Sequence, residues 1–114
     1  MKVRNGFVSN SSSSSFVIDK KYLTDEQIGK ILNYHEEATR MVNEGKARED
    51  LRWDDPRCQD DSYVELPDFG YLDNDWWINE TETTIEGSCI IDNFSMMTFL
   101  RAIGVDTSKV SYED

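Results

Sequence analysis

Thr24-Asp25-Glu26-Gln27 opens the most regular stretch of the chain. A threonine at the N-cap with a glutamine three residues on is the pattern of a capping box, in which each side chain satisfies the other residue's backbone N–H. Leu23 before it and Ile28 after it have the spacing of a hydrophobic staple. Ile28, Ile31, Leu32, His35, Ala38, Met41 and Val42 then recur with helical period, which predicts an amphipathic helix over 24–44. Asp25 and Glu26 sit where the helix dipole favours negative charge, and Gly45 supplies the stop. Such a helix is stable only if a second layer covers its apolar face. His35, the single histidine, falls on that stripe. A lone histidine there is expected to be packed and hydrogen-bonded rather than catalytic.

The second layer is a sheet. Phe16-Val17-Ile18 is aromatic and β-branched and reads as a short buried strand. Trp76-Trp77-Ile78-Asn79 and Thr83-Thr84-Ile85, separated by Glu80-Thr81-Glu82, read as a hairpin whose second strand runs on to Cys89-Ile90-Ile91. If the tryptophans lie on a strand they point to opposite faces, so at most one belongs to the core. Gly87 inside that strand marks a bulge or a close backbone approach. Asp92 or Asn93 then caps a second helix over 93–103, ended by Gly104 with Val105 as the apolar partner of a Schellman motif. Val110-Ser111-Tyr112 has the makings of a short edge strand. Residues 46–72 carry no sustained period, so they are expected to form a long acidic loop with one short strand at 62–66. The fold class expected is α+β: two helices packed on a small, mainly antiparallel β-sheet, with a long acidic loop, in one domain spanning 1–114. Its parts are a serine-rich leader and first strand (1–18), a helix (24–44), the acidic loop (46–72), a hairpin (76–91) and a helix (93–103).

The leader reads Arg4-Asn5-Gly6-Phe7-Val8-Ser9-Asn10, then five serines at 11–15. Composition alone makes the serine run a flexible linker. A phosphate-binding loop beside Lys2 and Arg4 is the functional alternative. This leader, followed by Phe16-Val17, resembles that of many small uncharacterised proteins of tailed bacteriophages and phage-derived bacterial regions. Ile91-Asp92-Asn93-Phe94-Ser95-Met96, leading into Phe99-Leu100 and Ile103-Gly104-Val105, is similar to a pattern in the same group. The resemblance implies a phage-type origin and no particular activity. It leaves most of the chain uncovered and carries over no catalytic residue.

Charge narrows the partner. The net charge is -11, and it is not evenly spread. Residues 1–24 hold four basic side chains against Asp19 alone, whereas residues 49–86 hold thirteen acids against Arg52 and Arg57. Direct binding to a nucleic-acid backbone is therefore disfavoured, because that affinity comes from lysine and arginine. No apolar run reaches the length of a membrane span. Cys58 and Cys89 lack metal-ligand spacing, and in a chain without a signal-peptide pattern they fit a reducing cytoplasm better than a disulfide. No phosphate loop, dinucleotide fingerprint or nucleophile elbow occurs. Asp73-Asn74-Asp75 begins like a calcium loop but lacks the glycine and glutamate that such a loop needs.

The leading expectation is a phage-type accessory protein acting in the host cytoplasm as a non-enzymatic binding module or inhibitor. Its surface would be acidic and nucleic-acid-mimicking: Asp54, Asp55, Asp60, Asp61, Glu65, Asp68, Asp73 and Asp75, with Trp53 and Trp76 as aromatic anchors. The partner expected is a basic host or phage protein, including a nucleic-acid-binding one if the surface is a mimic. No catalytic residue, metal or cofactor is assigned, and the oligomeric state is left open. Two other readings stand beside it. One is a small enzyme or nucleotide- and metal-binding protein using the serine leader and acidic loop; the other is a virion structural component.

Overall fold

β1 (Ser14–Asp19) is an inner strand of the sheet, and its alternation decides the architecture. Ser14, Phe16 and Ile18 are buried, while Ser15, Val17 and Asp19 face away from the core. β1 pairs antiparallel with β3 (Thr84–Cys89) on one side and β4 (Ser111–Glu113) on the other. β2 (Trp77–Glu80) pairs antiparallel with β3, giving the order β2-β3-β1-β4. The computed structural model describes residues 13–50, 55–59, 61–72, 74–90 and 93–113, without the side chain of Cys58. Residues 1–12 of the leader, and with them the turn expected at Asn5-Gly6, lie outside the described residues. Ser14 and Ser15, expected in a linker, instead belong to β1 because their neighbours Phe16 and Ile18 supply the apolar face.

The layer opposite is helical. α1 (Asp25–Leu32) begins with the expected capping box: Thr24 Oγ1 accepts from the Gln27 N–H at 3.1 Å, and Gln27 Oε1 accepts from the Thr24 N–H at 2.9 Å. The single helix expected over 24–44 is interrupted. Asn33, at φ -115 and ψ 40, separates α1 from α2 (Tyr34–Asn43), and its amide donates to the Gly29 carbonyl at 3.2 Å. An asparagine that hydrogen-bonds back to its own helix offers the backbone an alternative to continuing it. The interruption changes which residues face inward. Tyr34 is buried and Leu32 is exposed, reversing the expectation from an unbroken stripe. α2 ends in a Schellman motif, with Gly45 N–H to Val42 O at 3.1 Å and Lys46 N–H to Met41 O at 2.9 Å.

α4 (Met96–Ala102) is capped at Ser95, two or three residues later than the Asn93 or Asp92 cap expected. Residue 93 is used otherwise: its carbonyl accepts from the Tyr71 N–H at 3.1 Å, which holds the segment extended. The end of α4 is as expected, with Val105 N–H to Leu100 O at 2.9 Å and Gly104 N–H to Arg101 O at 3.1 Å. Three helices of two turns or so, rather than two, therefore accompany the antiparallel sheet.

Sheet and helices share one core. Phe16, Ile18, Ile85 and Cys89 from the sheet join Ile31, Tyr34, Ala38, Met41 and Val42 from α1 and α2, and Met96, Phe99 and Leu100 from α4. Tyr34, Phe69, Phe94 and Phe99 form a cluster of tilted and edge-on rings, with centroids 5.1 to 6.4 Å apart. Gly87 lies directly across from Phe16, and a side chain there would run into the Phe16 ring and come within 3.0 Å of Ile78 Cδ1. The close approach expected at Gly87 is thus present, with the strand register unbroken on both sides. No buried side-chain nitrogen or oxygen among the described residues lacks a hydrogen-bond partner.

Candidate functional site

Between α2 and β2 the described acidic middle of the chain holds two short helical turns and two isolated bridges among irregular stretches. Pro56–Gln59 form a 3₁₀ turn, and α3 (Asp61–Val64) stands where a strand was expected at 62–66. Tyr63 explains the difference. Its hydroxyl accepts from the Glu49 N–H at 3.3 Å, and its ring lies under the Arg57 guanidinium at 5.6 Å. A helical turn presents Tyr63 to both. Downstream, Arg48 bridges to Asp68 and Gly70 to Phe94, so this segment is stitched to the core on either side of Phe69.

The carboxylates expected to face a partner divide into two groups. Asp55 and Asp68 are engaged internally. Arg57 donates to Asp55 Oδ1 at 3.2 Å and Oδ2 at 3.0 Å, and Arg48 lies 3.4 Å from Asp68 Oδ2. Asp61, Glu65 and Asp75 are exposed and form no ion pair among the described residues. Asp54, Asp60, Asp73 and Trp53 lie outside the described residues. Trp76, expected as a surface anchor, is 3% exposed. Its N–H donates to the Tyr34 hydroxyl at 2.9 Å, its indole donates to the Phe94 carbonyl at 3.2 Å, and its ring packs on Phe16. It is a core residue. Its neighbour Trp77 is the exposed one, at 66%.

The Arg57–Asp55 pair has a measurable consequence. Hydrogen bonds from the Arg57 side chain, and then from its backbone N–H, hold the Asp55 carboxyl below the ordinary aspartate range. A carboxylate whose folded pKa is depressed stabilises the fold above its unfolded pKa, and loses that contribution as pH falls through the folded value. An NMR titration of the Asp55 carboxyl carbon is expected to show a midpoint below the usual aspartate value. In Arg57→Gln the midpoint should move up, and an unchanged midpoint would mean that the ion pair is not formed in solution.

The other face of the sheet carries two of the exposed apolar residues, Val17 and Trp77, with a third, Ile90, beside it. By the observed register, Trp77 stands opposite Ser88, Ser88 opposite Ser15, and Ser15 opposite Glu113. One step along, Asn79, Glu86, Val17 and Ser111 form the next row. These rows carry Trp77 and Val17 into solvent, and no described helix covers them. Trp77 borders two adjoining hollows. One is shared with Asn74, Asp75 and Ile90, and the other with Ser15, Val17, Asn79, Glu86 and Ser88. Ile90 is 59% exposed beside it.

No family model, curated protein or solved structure matches the chain. His35 Nε2 lies 3.0 Å from the Leu72 carbonyl, so that nitrogen bears a proton and ties α2 to the segment entering β2. Among the described residues no three histidine, cysteine or carboxylate side chains converge as a metal site would require. No described helix is long and apolar enough to cross a membrane. Cys89 is buried at the end of β3.

The sequence singled out Trp76 rather than Trp77 as the anchor, and did not single out Glu86 or Ile90. The signal available was the alternation of the tryptophan pair, which says that the two differ in exposure but not which one is inside. The choice is made by Tyr34 and Phe94, whose oxygens accept the two Trp76 N–H groups.

Proposed function

We propose that this chain is a phage-type accessory protein that acts as a non-enzymatic module, binding a basic host or phage protein through an acidic surface with an aromatic anchor. The observation that carries the reading is the exposed Trp77–Ile90 pair beside the Asp75 carboxylate. Large apolar side chains grouped at the edge of a sheet, Trp77 on β2 and Ile90 just past β3, and rimmed by polar groups are typical of surfaces that a partner covers. The excess of thirteen acids over two arginines in residues 49–86 makes the field around that surface negative. Such a field speeds the approach of a cationic partner and repels phosphate. A nucleic-acid-binding partner fits both properties, since its own groove is basic. The likeness of the leader to phage proteins supports the setting in a host cell.

Affinity capture from host lysate, at low and high salt, tests this. One stoichiometric basic partner is expected, retained at low salt, released at high salt and displaced by duplex DNA. Recovery of no salt-sensitive partner would sink the proposal.

A further inference from the structure

We infer that the open face of the sheet receives an arginine-bearing segment of the partner, with a guanidinium stacked on Trp77 between Glu86 and Asp75. This rests on the reading above that the partner is basic. It adds where the contact is made and which side chain makes it.

Three features of the face lead to arginine. The strand rows on this side hold Asp19, Glu86 and Glu113, with Asp75 at the margin, and contain no lysine or arginine. The basic residues Lys20, Arg48 and Arg57 instead pair with Glu80, Asp68 and Asp55. Trp77 separates two hollows, each with a carboxylate in its lining, so a cation over the indole has an acid on either side. Indole is the best of the aromatic faces for a cation, and a planar guanidinium stacks on it while donating to a carboxylate. The hydroxyls of Ser15 and Ser88 and the amide of Asn79 supply acceptors for the remaining N–H groups.

The other occupants fit less well. Lysine presents a compact, strongly hydrated charge that gains less from the indole plane. A nucleic-acid strand would bring phosphates to a face without a cation among the described residues. A second copy of this chain would set Asp75, Glu86 and Glu113 against their own kind.

The test is a titration of the full-length, isotope-labelled protein with a capped peptide of alternating arginine and glycine, followed by backbone and indole NMR shifts. A peptide with lysine in place of arginine serves as the comparison. Shifts centred on Trp77, Asn79, Glu86 and Ser88, with the arginine peptide bound about threefold or more tighter than the lysine one, are expected. Trp77→Ser should weaken arginine-peptide binding about three- to fivefold and Glu86→Gln about twofold, with the rest of each spectrum unchanged. Shifts confined to Asp61 and Glu65, or equal binding of the two peptides, would overturn the assignment of this face while leaving an acidic binding module standing. Absence of binding by either peptide at low salt would overturn both. Concentration-dependent self-association abolished by Trp77→Ser would also overturn it, in favour of a second copy.

Discussion

Replacing Phe94 with alanine is expected to destabilise the protein by about 3–5 kcal/mol, the range for emptying a buried aromatic site. Phe94 is 1% exposed, and its ring centroid lies 5.1 Å from Tyr34, 5.7 Å from Phe69 and 5.8 Å from Phe99. Its ring thus joins α2, the 46–72 segment and α4, three parts distant in sequence. A cavity at that junction cannot be closed by one neighbour without pulling the others from their rotamers. Its backbone also holds Trp76 through the indole N–H, so loosening the segment exposes a second aromatic. Small domains are stable by only about 5–15 kcal/mol, so the variant should be partly unfolded at physiological temperature. Urea unfolding followed by near-ultraviolet circular dichroism measures the loss. Phe94→Leu, which keeps most of the volume, should cost about 1–2 kcal/mol. Equal losses for the two variants would show that the ring cluster is not a packing unit.

The second large effect is expected at Gly70. This residue has φ +73, and a Cβ there would collide with the backbone carbonyl oxygen of Asn93. That oxygen is fixed, because it accepts the Tyr71 N–H at 3.1 Å while the Phe69 carbonyl accepts the Ser95 N–H at 2.8 Å. Two stretches of main chain therefore cross with no side chain between them that is able to yield. Gly45 provides the comparison within the same molecule, for its φ is +77 but nothing lies within 4 Å of an added Cβ. Gly45→Ala should cost only the left-handed strain, about 1 kcal/mol. Gly70→Ala adds displacement of the crossing backbone and should cost about 3 kcal/mol or more. The urea midpoints of the two variants give the difference directly, and matching midpoints would refute the close crossing.

Much of the fold was legible because local chemistry and tertiary packing agree. The Thr24–Gln27 capping box and the Gly104 terminator depend on residues a few positions apart, and the Phe16–Ile18 strand and the hairpin through Gly87 are marked by local runs of strand-forming residues. The failures have a common form. Asn33 breaks the helix where an amide competes for a carbonyl, and Tyr63 turns a predicted strand into a helical turn through partners 14 and 6 residues away. Asn93 stays extended because Tyr71 needs its carbonyl. In each case a side chain or carbonyl has a partner that hydrophobic periodicity does not register. The candidate surface was legible in charge but not in position. Asp61, Glu65 and Asp75 are exposed, yet the aromatic beside Asp75 is Trp77 because Trp76 has hydrogen-bond acceptors waiting in the core.

The place of β1 between β3 and β4 also bears on how the protein is made. Ser14 meets Cys89, and Ser15 meets Glu113. On the ribosome β1 leaves the exit tunnel early and has no strand to pair with until the chain through Cys89 has followed. Its second partner arrives only with the last strand. Meanwhile the Thr24 cap of α1 is already in place, but the apolar face of α1 has no sheet to pack on, and α4 follows Cys89 in the chain. Phe16 and Ile18 therefore lack their sheet partners until then, and the acidic stretch at 49–86 is made within that interval, where like charge opposes association of nascent chains.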